Sequence, residues 1–181
     1  VSGPAPADRP VRPLFDAATI ARRVDELAAA IAASLPAEVT LVGLLKGAFV
    51  FTADLVRALD RAGMRPQVEF LQVSSYGLGT ESSGTVKVIG EMPGSIGGRP
   101  VLLVDDIQDT GRTLLFTRDL LLRHGAARVW TCALLDKPAR RVVDIQPDFV
   151  GFEIPDLFVV GYGIDRAERY RHLPWIGAVE G

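Results

Sequence analysis

VLLVDDIQDTGRTL, at residues 101–114, decides how the chain folds. Four apolar residues, Val101, Leu102, Leu103 and Val104, run straight into the acids Asp105, Asp106 and Asp109 and then into the small-residue turn Thr110-Gly111. A strand with no polar side to offer water is covered on both faces, as strands inside a parallel sheet are. Residues 111–123 continue as a helix on which Leu114, Leu115, Leu121 and Leu122 share one side. Open α/β sheets bind ligands outside the carboxyl ends of their strands, so chemistry belongs at this junction. The turn Asp109-Thr110-Gly111-Arg112-Thr113 brings backbone N–H groups and two hydroxyls to a helix N-terminus, a site suited to phosphate. Asp105 and Asp106, adjacent on extended chain, point to different sides if the strand persists. In isolation the same acids would read as a solvated turn with Asp109 as a helix cap. The order of strand, acid pair, acid, Thr-Gly and Thr favours a binding site.

Outward from this junction the chain alternates. Residues 17–35 carry Ile20, Val24, Leu27 and Ile31 at helical spacing, and Pro36 closes that helix. Residues 39–45 (VTLVGLL) form a short apolar strand, followed at 47–59 by a helix with Val50, Leu55, Val56 and Leu59. Strands at 68–73 and 86–89 flank a loop at 74–85 that is long for a hairpin, and residues 129–135 and 158–160 supply further buried strands. The pattern predicts an α/β fold, a mainly parallel twisted sheet flanked by helices. A length of 181 residues suits one domain, residues 1–181, with a flexible N-terminus over 1–13.

Composition narrows the function classes. Hydrophobic residues make up 48% and charged residues 23%, a globular balance, and the formal charge of −2 leaves no bulk attraction for nucleic acid or an anionic membrane. No apolar run reaches membrane-spanning length. The first residues, VSGPAPADRP, lack the basic flank and apolar core of a secretory signal. Cys132 is the sole cysteine and reads as a small buried thiol. His124 and His172 have no spaced partners and take helix-end or surface roles, while Trp130 and Trp175 pack. A cytoplasmic enzyme is the simplest expectation.

The 101–114 order resembles the phosphoribosyl pyrophosphate (PRPP) motif of the type I phosphoribosyltransferases, and other segments narrow the likeness to the hypoxanthine-guanine branch. Residues 44–48 (LLKGA) resemble that family's pyrophosphate loop, and 73–84 (VSSYGLGTESSG) its mobile lid. Asp136-Lys137-Pro138 resembles its purine-selecting segment, and residues 147–177 its hood. The likeness spans about residues 14–179. Three departures stand out: Asp105 where many members carry Glu, Gln108 where an apolar residue is common, and Arg166 where an aromatic residue is common.

The resemblance implies the type I phosphoribosyltransferase fold with a small hood built from the C-terminal segment (about 147–181) and the N-terminus. It implies a homodimer or homotetramer that joins PRPP to a 6-oxopurine with magnesium. Asp109 would be the catalytic base. Asp105, Asp106, Asp109, Thr110, Gly111, Arg112 and Thr113 would bind the ribose phosphate. Leu45, Lys46, Gly47 and Arg171 would bind pyrophosphate, with a cis peptide in the Leu45-Lys46-Gly47 loop. Ser75 and Tyr76 would belong to the lid, and Lys137, Phe158, Val159 and Asp165 to the purine subsite. Asp105 and Asp106 would hold ribose hydroxyls of one magnesium chelate, and Asp165 would ligate a second metal. The acids make chemical sense, because cleavage at the anomeric carbon builds positive charge on ribose and negative charge on the leaving group. A non-catalytic nucleotide- or RNA-binding regulator on the same fold, or a xanthine-preferring enzyme, are the alternatives.

Overall fold

The computed structural model describes residues 10–76 and 85–180. Its centre is a six-stranded sheet of order β4-β3-β2-β5-β6-β7, formed by β2 (Thr40–Leu45), β3 (Gln67–Tyr76), β4 (Thr85–Ile89), β5 (Pro100–Gln108), β6 (Arg128–Asp136) and β7 (Phe149–Glu153). Every neighbouring pair is parallel except β3 and β4. α1 (Ala17–Ser34) and α2 (Phe49–Arg61) cover one face, and α3 (Arg112–Arg123) covers the other. The apolar run of β5 divides between the two cores. Leu102 and Val104 join Ile31, Phe51 and Leu55, whereas Val101 and Leu103 join Leu114 and Leu121. This is the period-2 alternation of a strand buried on both sides.

Local chemistry sets the element ends. The Asp16 side chain accepts the Thr19 N–H at 2.7 Å and caps α1, whose Ile20, Val24, Leu27 and Ile31 are buried as their spacing predicts. α2 begins at Phe49 rather than residue 47, because residues 46–48 turn the chain out of β2. β5 is longer than its apolar run. Pairing with β6 continues through Gln108↔Asp136, so Asp105 and Asp106 lie on strand rather than in a turn. β3 reaches Tyr76 and pairs it with Thr85, so the connection expected at 74–85 is shorter at both ends. Its remainder, residues 77–84, lies outside the described residues.

A second sheet, of order β1-β9-β8, joins β1 (Val11–Phe15), β8 (Val159–Val160) and β9 (Ile176–Val179) in antiparallel pairs. Two expectations change here. The strand expected at 158–160 belongs to this sheet and not to the main one, since its partner is the chain's own C-terminal strand. The flexible terminus expected over 1–13 ends sooner, because Val11 pairs with Val179 and Pro13 with Gly177. Residues 1–9 lie outside the described residues. The two chain ends therefore make a hood across one end of the parallel sheet.

Candidate active site

The strand order reverses between β2 and β5, so the crevice beyond their carboxyl ends is the topological switch point. β2 ends in Leu45, whose peptide bond to Lys46 is cis, as the resemblance implied. Gly47 then packs so tightly on Asp106 that a Cβ would overlap the carboxylate. On its other side, a Cβ on Gly163 of the hood would lie 2.5 Å from the Gly47 carbonyl oxygen. Gly163 has φ 96°, a conformation glycine adopts without steric cost. Three segments far apart in sequence thus meet at Gly47.

Asp105 is buried and Asp106 half-buried. Asp105 Oδ1 accepts the Asp106 backbone N–H at 3.0 Å. Burial, reinforced by the Asp106 charge, holds the Asp105 carboxyl well above the usual carboxylate range. Burial also raises Asp106, against the lowering influence of the Asp105 hydrogen bond and the Arg171 charge. Such a pair favours a nearby cation.

Gly111 caps α3 in the left-handed region at φ 88°, where a Cβ would also collide with Val143 and Ile145. Asp109 is therefore not the cap. The first-turn amides of α3 lack intrahelical acceptors, and Thr110 Oγ1 accepts the Arg112 N–H at 3.4 Å. Residues 137–142 fasten this turn from the side. Lys137 N–H donates to the Gln108 carbonyl at 2.9 Å, Arg141 Nη1 to the Asp109 carbonyl at 3.0 Å, and Val142 N–H to the Thr110 carbonyl at 3.0 Å. Arg140 Nε donates to Asp109 Oδ1 at 3.1 Å. Sequence reasoning missed Arg140 and Arg141; their position just after Lys137, beside an acidic turn, is the only signal for them.

Just past the carboxyl end of β6, Lys137 is buried with its ammonium 4.0 Å from Asp156, another residue the sequence left unassigned. Phe158 is 56% exposed, so much of its ring is open to solvent. Val159 is buried beside it in β8. The Arg166 guanidinium stands 5.7 Å above the Phe158 ring, near the outer limit of cation–π contact. Ser75 and Tyr76 end β3, and their side chains are outside what the structure describes.

The hood carries the cations. Arg171 Nη1 donates to the Gly163 carbonyl at 2.8 Å, and Nη2 pairs with Asp165 Oδ1 at 2.9 Å. The other Asp165 oxygen accepts the Glu168 N–H at 2.8 Å. Both oxygens of Asp165 are thus engaged within the hood. Among the described residues no cluster of three or more His, Cys, Asp or Glu side chains could hold a metal, so Asp165 does not join the β5 acids in a protein-only cage. Gln108, the second departure, is buried with its Nε2 lacking a partner among the described residues. Cys132 is fully buried, and burial pushes its thiol up, which makes it inert packing as expected.

Residues 11–167 match the family model described as "Phosphoribosyl transferase domain". The chain is 53% identical over 163 residues to the hypoxanthine-guanine phosphoribosyltransferase of Aquifex aeolicus, covering 89% of this chain and 90% of that one. It is 49% identical over 142 residues to the hypoxanthine phosphoribosyltransferase of Salmonella typhimurium, 78% of each. A crystal structure of a hypoxanthine-guanine phosphoribosyltransferase from Bacillus anthracis superposes with TM-score 0.88 at 41% identity, covering 96% of this chain and 100% of that one.

Proposed function

This chain belongs to the phosphoribosyl transferase family, in its hypoxanthine-guanine branch, and from that premise we propose how its residues share the work. It is a purine salvage enzyme that transfers the 5-phosphoribosyl group from PRPP to hypoxanthine or guanine, giving IMP or GMP and pyrophosphate. The observation that carries the residue assignments is the meeting of Gly47, Asp106 and Gly163 at the switch point. It brings the loop read as pyrophosphate-binding, the acids and the cation-bearing hood to one crevice.

We assign the ribose 5-phosphate to the α3 N-terminus, with the amides and hydroxyls of Thr110, Gly111, Arg112 and Thr113 as donors. Lys46, Gly47 and Arg171 receive the pyrophosphate. Asp109 takes the proton that leaves the purine imidazole as its nitrogen attacks, and Arg140 orients that carboxylate through Oδ1. The purine stacks on the open face of Phe158, beside the Val159 backbone, with Ser75 and Tyr76 closing the pyrophosphate side.

Magnesium suits the donor set. This ion binds one or two carboxylates while keeping waters and substrate oxygens, and two acids with raised proton affinity gain most from such a neighbour. When bound, it neutralises charge on the pyrophosphate. Asp105 and Asp106 would hold the chelate through ribose hydroxyls. Asp165 would hold a second ion while its Oδ1 stays paired with Arg171.

The enzyme works as a homo-oligomer in this reading. By register, Val68, Phe70 and Ile89 share one face of the β3/β4 edge, and all three are exposed, which supports a subunit contact checkable by sedimentation velocity. No helix among the described residues is long and apolar enough to cross a membrane. A charged sugar phosphate does not leave the cell unaided, which supports a cytoplasmic place of work.

The test is direct: purified chain, magnesium, PRPP and each of five bases, with nucleotide detection. Hypoxanthine and guanine should react. Adenine should fail, because the Lys137 ammonium offers donors only and suits a 6-carbonyl but not a 6-amino group. Lys137→Gln, whose amide presents either a donor or an acceptor, should narrow the gap between 6-oxopurines and adenine by about tenfold or more. Unaltered base preference in that variant removes Lys137 from the role.

A further inference from the structure

We propose that Glu168 is a built-in counter-ion of the pyrophosphate subsite, occupying its two cations in the free enzyme and exchanging with the leaving group on binding and release. The proposal rests on reading Lys46 and Arg171 as the pyrophosphate cations. Lys46 Nζ stands 3.1 Å from Glu168 Oε1, and Arg171 Nη2 stands 3.3 Å from Glu168 Oε2. One carboxylate therefore spans a cation from the β2–α2 loop, 122 residues before Glu168 in sequence, and a cation from its own hood. A pyrophosphate bridging the same two groups would use the same donors.

The backbone is bent to put Glu168 there. Ala167, Glu168 and Tyr170 all adopt left-handed conformations, with φ of 51°, 62° and 73°, and side-chain-bearing residues rarely do so. Such conformations persist where the surroundings impose them and gather at ligand clamps. Here the Asp165 carboxylate holds the turn by accepting the Glu168 N–H at 2.8 Å. Both cations keep the Glu168 carboxyl below its ordinary range, Lys46 foremost, so it is a full charge at neutral pH.

The grip is weak by design of its surroundings. The Glu168 side chain is 66% exposed and that of Lys46 55%, and exposed pairs of this kind are held loosely. Arg171 differs. Its bonds to the Gly163 carbonyl and the less exposed Asp165 remain when Glu168 swings out. Pyrophosphate carries more charge and more acceptors, so it displaces the carboxylate. When the product begins to leave, the tethered carboxylate is already at high local concentration and recaptures the cations. The result is a subsite that releases its product faster and binds it less tightly than two bare cations would.

The experiment is titration of the full chain with magnesium pyrophosphate, followed by calorimetry and by product inhibition of hypoxanthine transfer. Glu168→Gln should bind pyrophosphate about three- to tenfold more tightly, the scale of one exposed and one half-exposed ion pair, with the KM for hypoxanthine unmoved. Glu168→Asn, whose side chain tolerates the left-handed backbone, should shift binding in the same direction. In a Lys46→Met background the effect of Glu168→Gln should fall below about twofold, since one of the contested cations is gone. Unchanged or weaker binding in both Glu168 variants overturns the counter-ion role, and the subsite itself stands if Lys46→Met still loses affinity. Should Lys46→Met and Arg171→Met both bind pyrophosphate like the unmutated chain, the reading beneath the proposal fails instead.

Discussion

The two charged regions that face each other across Gly47 manage their charge in opposite ways. On β5, Asp105 and Asp106 carry like charges into a buried strand end, and burial drives both towards the protonated form. In the hood, Arg171 is surrounded by Asp165 and Glu168, and Glu168 reaches Lys46 as well, so each charge there has an opposite neighbour. The difference teaches how the crevice is divided. The strand end holds two acids whose ionised forms are disfavoured, a strain that a positive charge there would relieve. The hood stores satisfied pairs that an anion must open. The first is rigid, locked in a parallel ladder from Pro100↔Arg128 to Gln108↔Asp136; the second rests on a turn of left-handed residues.

The largest expected effect lies on the strand side. Asp109→Asn keeps the shape and the Arg141 bond to the Asp109 backbone but removes the carboxylate proposed as proton acceptor. Turnover of hypoxanthine should fall by roughly 10²–10⁴-fold while nucleotide binding survives. Wild-type turnover in that variant would mean that the strand end supplies charge alone and no base.

Gly47→Ala strikes the joint between the regions. The added methyl overlaps the Asp106 carboxylate, and the Asp106 backbone is held because β5 pairs with β6 on either side of it, at Asp105↔Ala133 and Ile107↔Leu135. The loop must move, and a misplacement of about 1 Å in a positioning element costs on the order of 10²-fold in kcat/KM. Steady-state kinetics against PRPP checks it. A change in the KM for the base with none for PRPP would show that Gly47 serves the purine side, which would dissolve the division drawn above.

How far the chain's sequence disclosed this arrangement follows the same line. The β5 side was legible: Val101 to Val104 announce a doubly buried strand, and Asp105 through Thr113 lie within nine consecutive residues, so spacing alone groups them. The hood was legible only through resemblance. Val11 and Val179 pair across almost the whole chain, and no local pattern reports such a contact. Arg140, Asp156 and Glu168 were missed for a related reason. Each is an exposed charged residue whose role appears only when a distant segment arrives, Asp109 for Arg140, Lys137 for Asp156 and Lys46 for Glu168. The strand limits of β5 were misjudged because acids disfavour strands intrinsically, and pairing with β6 overrode that preference.

The smallest expected effect is a change of stability with pH, and it isolates the strand side from the hood. Asp105 carries a proton affinity raised in the folded chain above that of the unfolded chain. A carboxyl raised in this way contributes stability that is fully present below the unfolded pKa of about 3.9 and is lost as pH rises through the folded value. At neutral pH the folded protein must either ionise a buried acid or keep it protonated against bulk solution, and both lower the stability. Asp105→Asn removes the titration and keeps the size. The variant should therefore be more stable than the parent at pH 7, by on the order of 1 kcal/mol, the scale found for burying an uncompensated polar group. The gain should shrink towards zero near pH 4, where the parent's carboxyl is protonated too. Urea unfolding at several pH values in chelator reads the difference. Glu168→Gln should show the opposite slope, since its carboxyl is lowered in the folded chain and contributes stability only above the unfolded pKa. If Asp105→Asn is less stable than the parent at neutral pH, the fold compensates the buried carboxylate, and the strand end is a satisfied site like the hood.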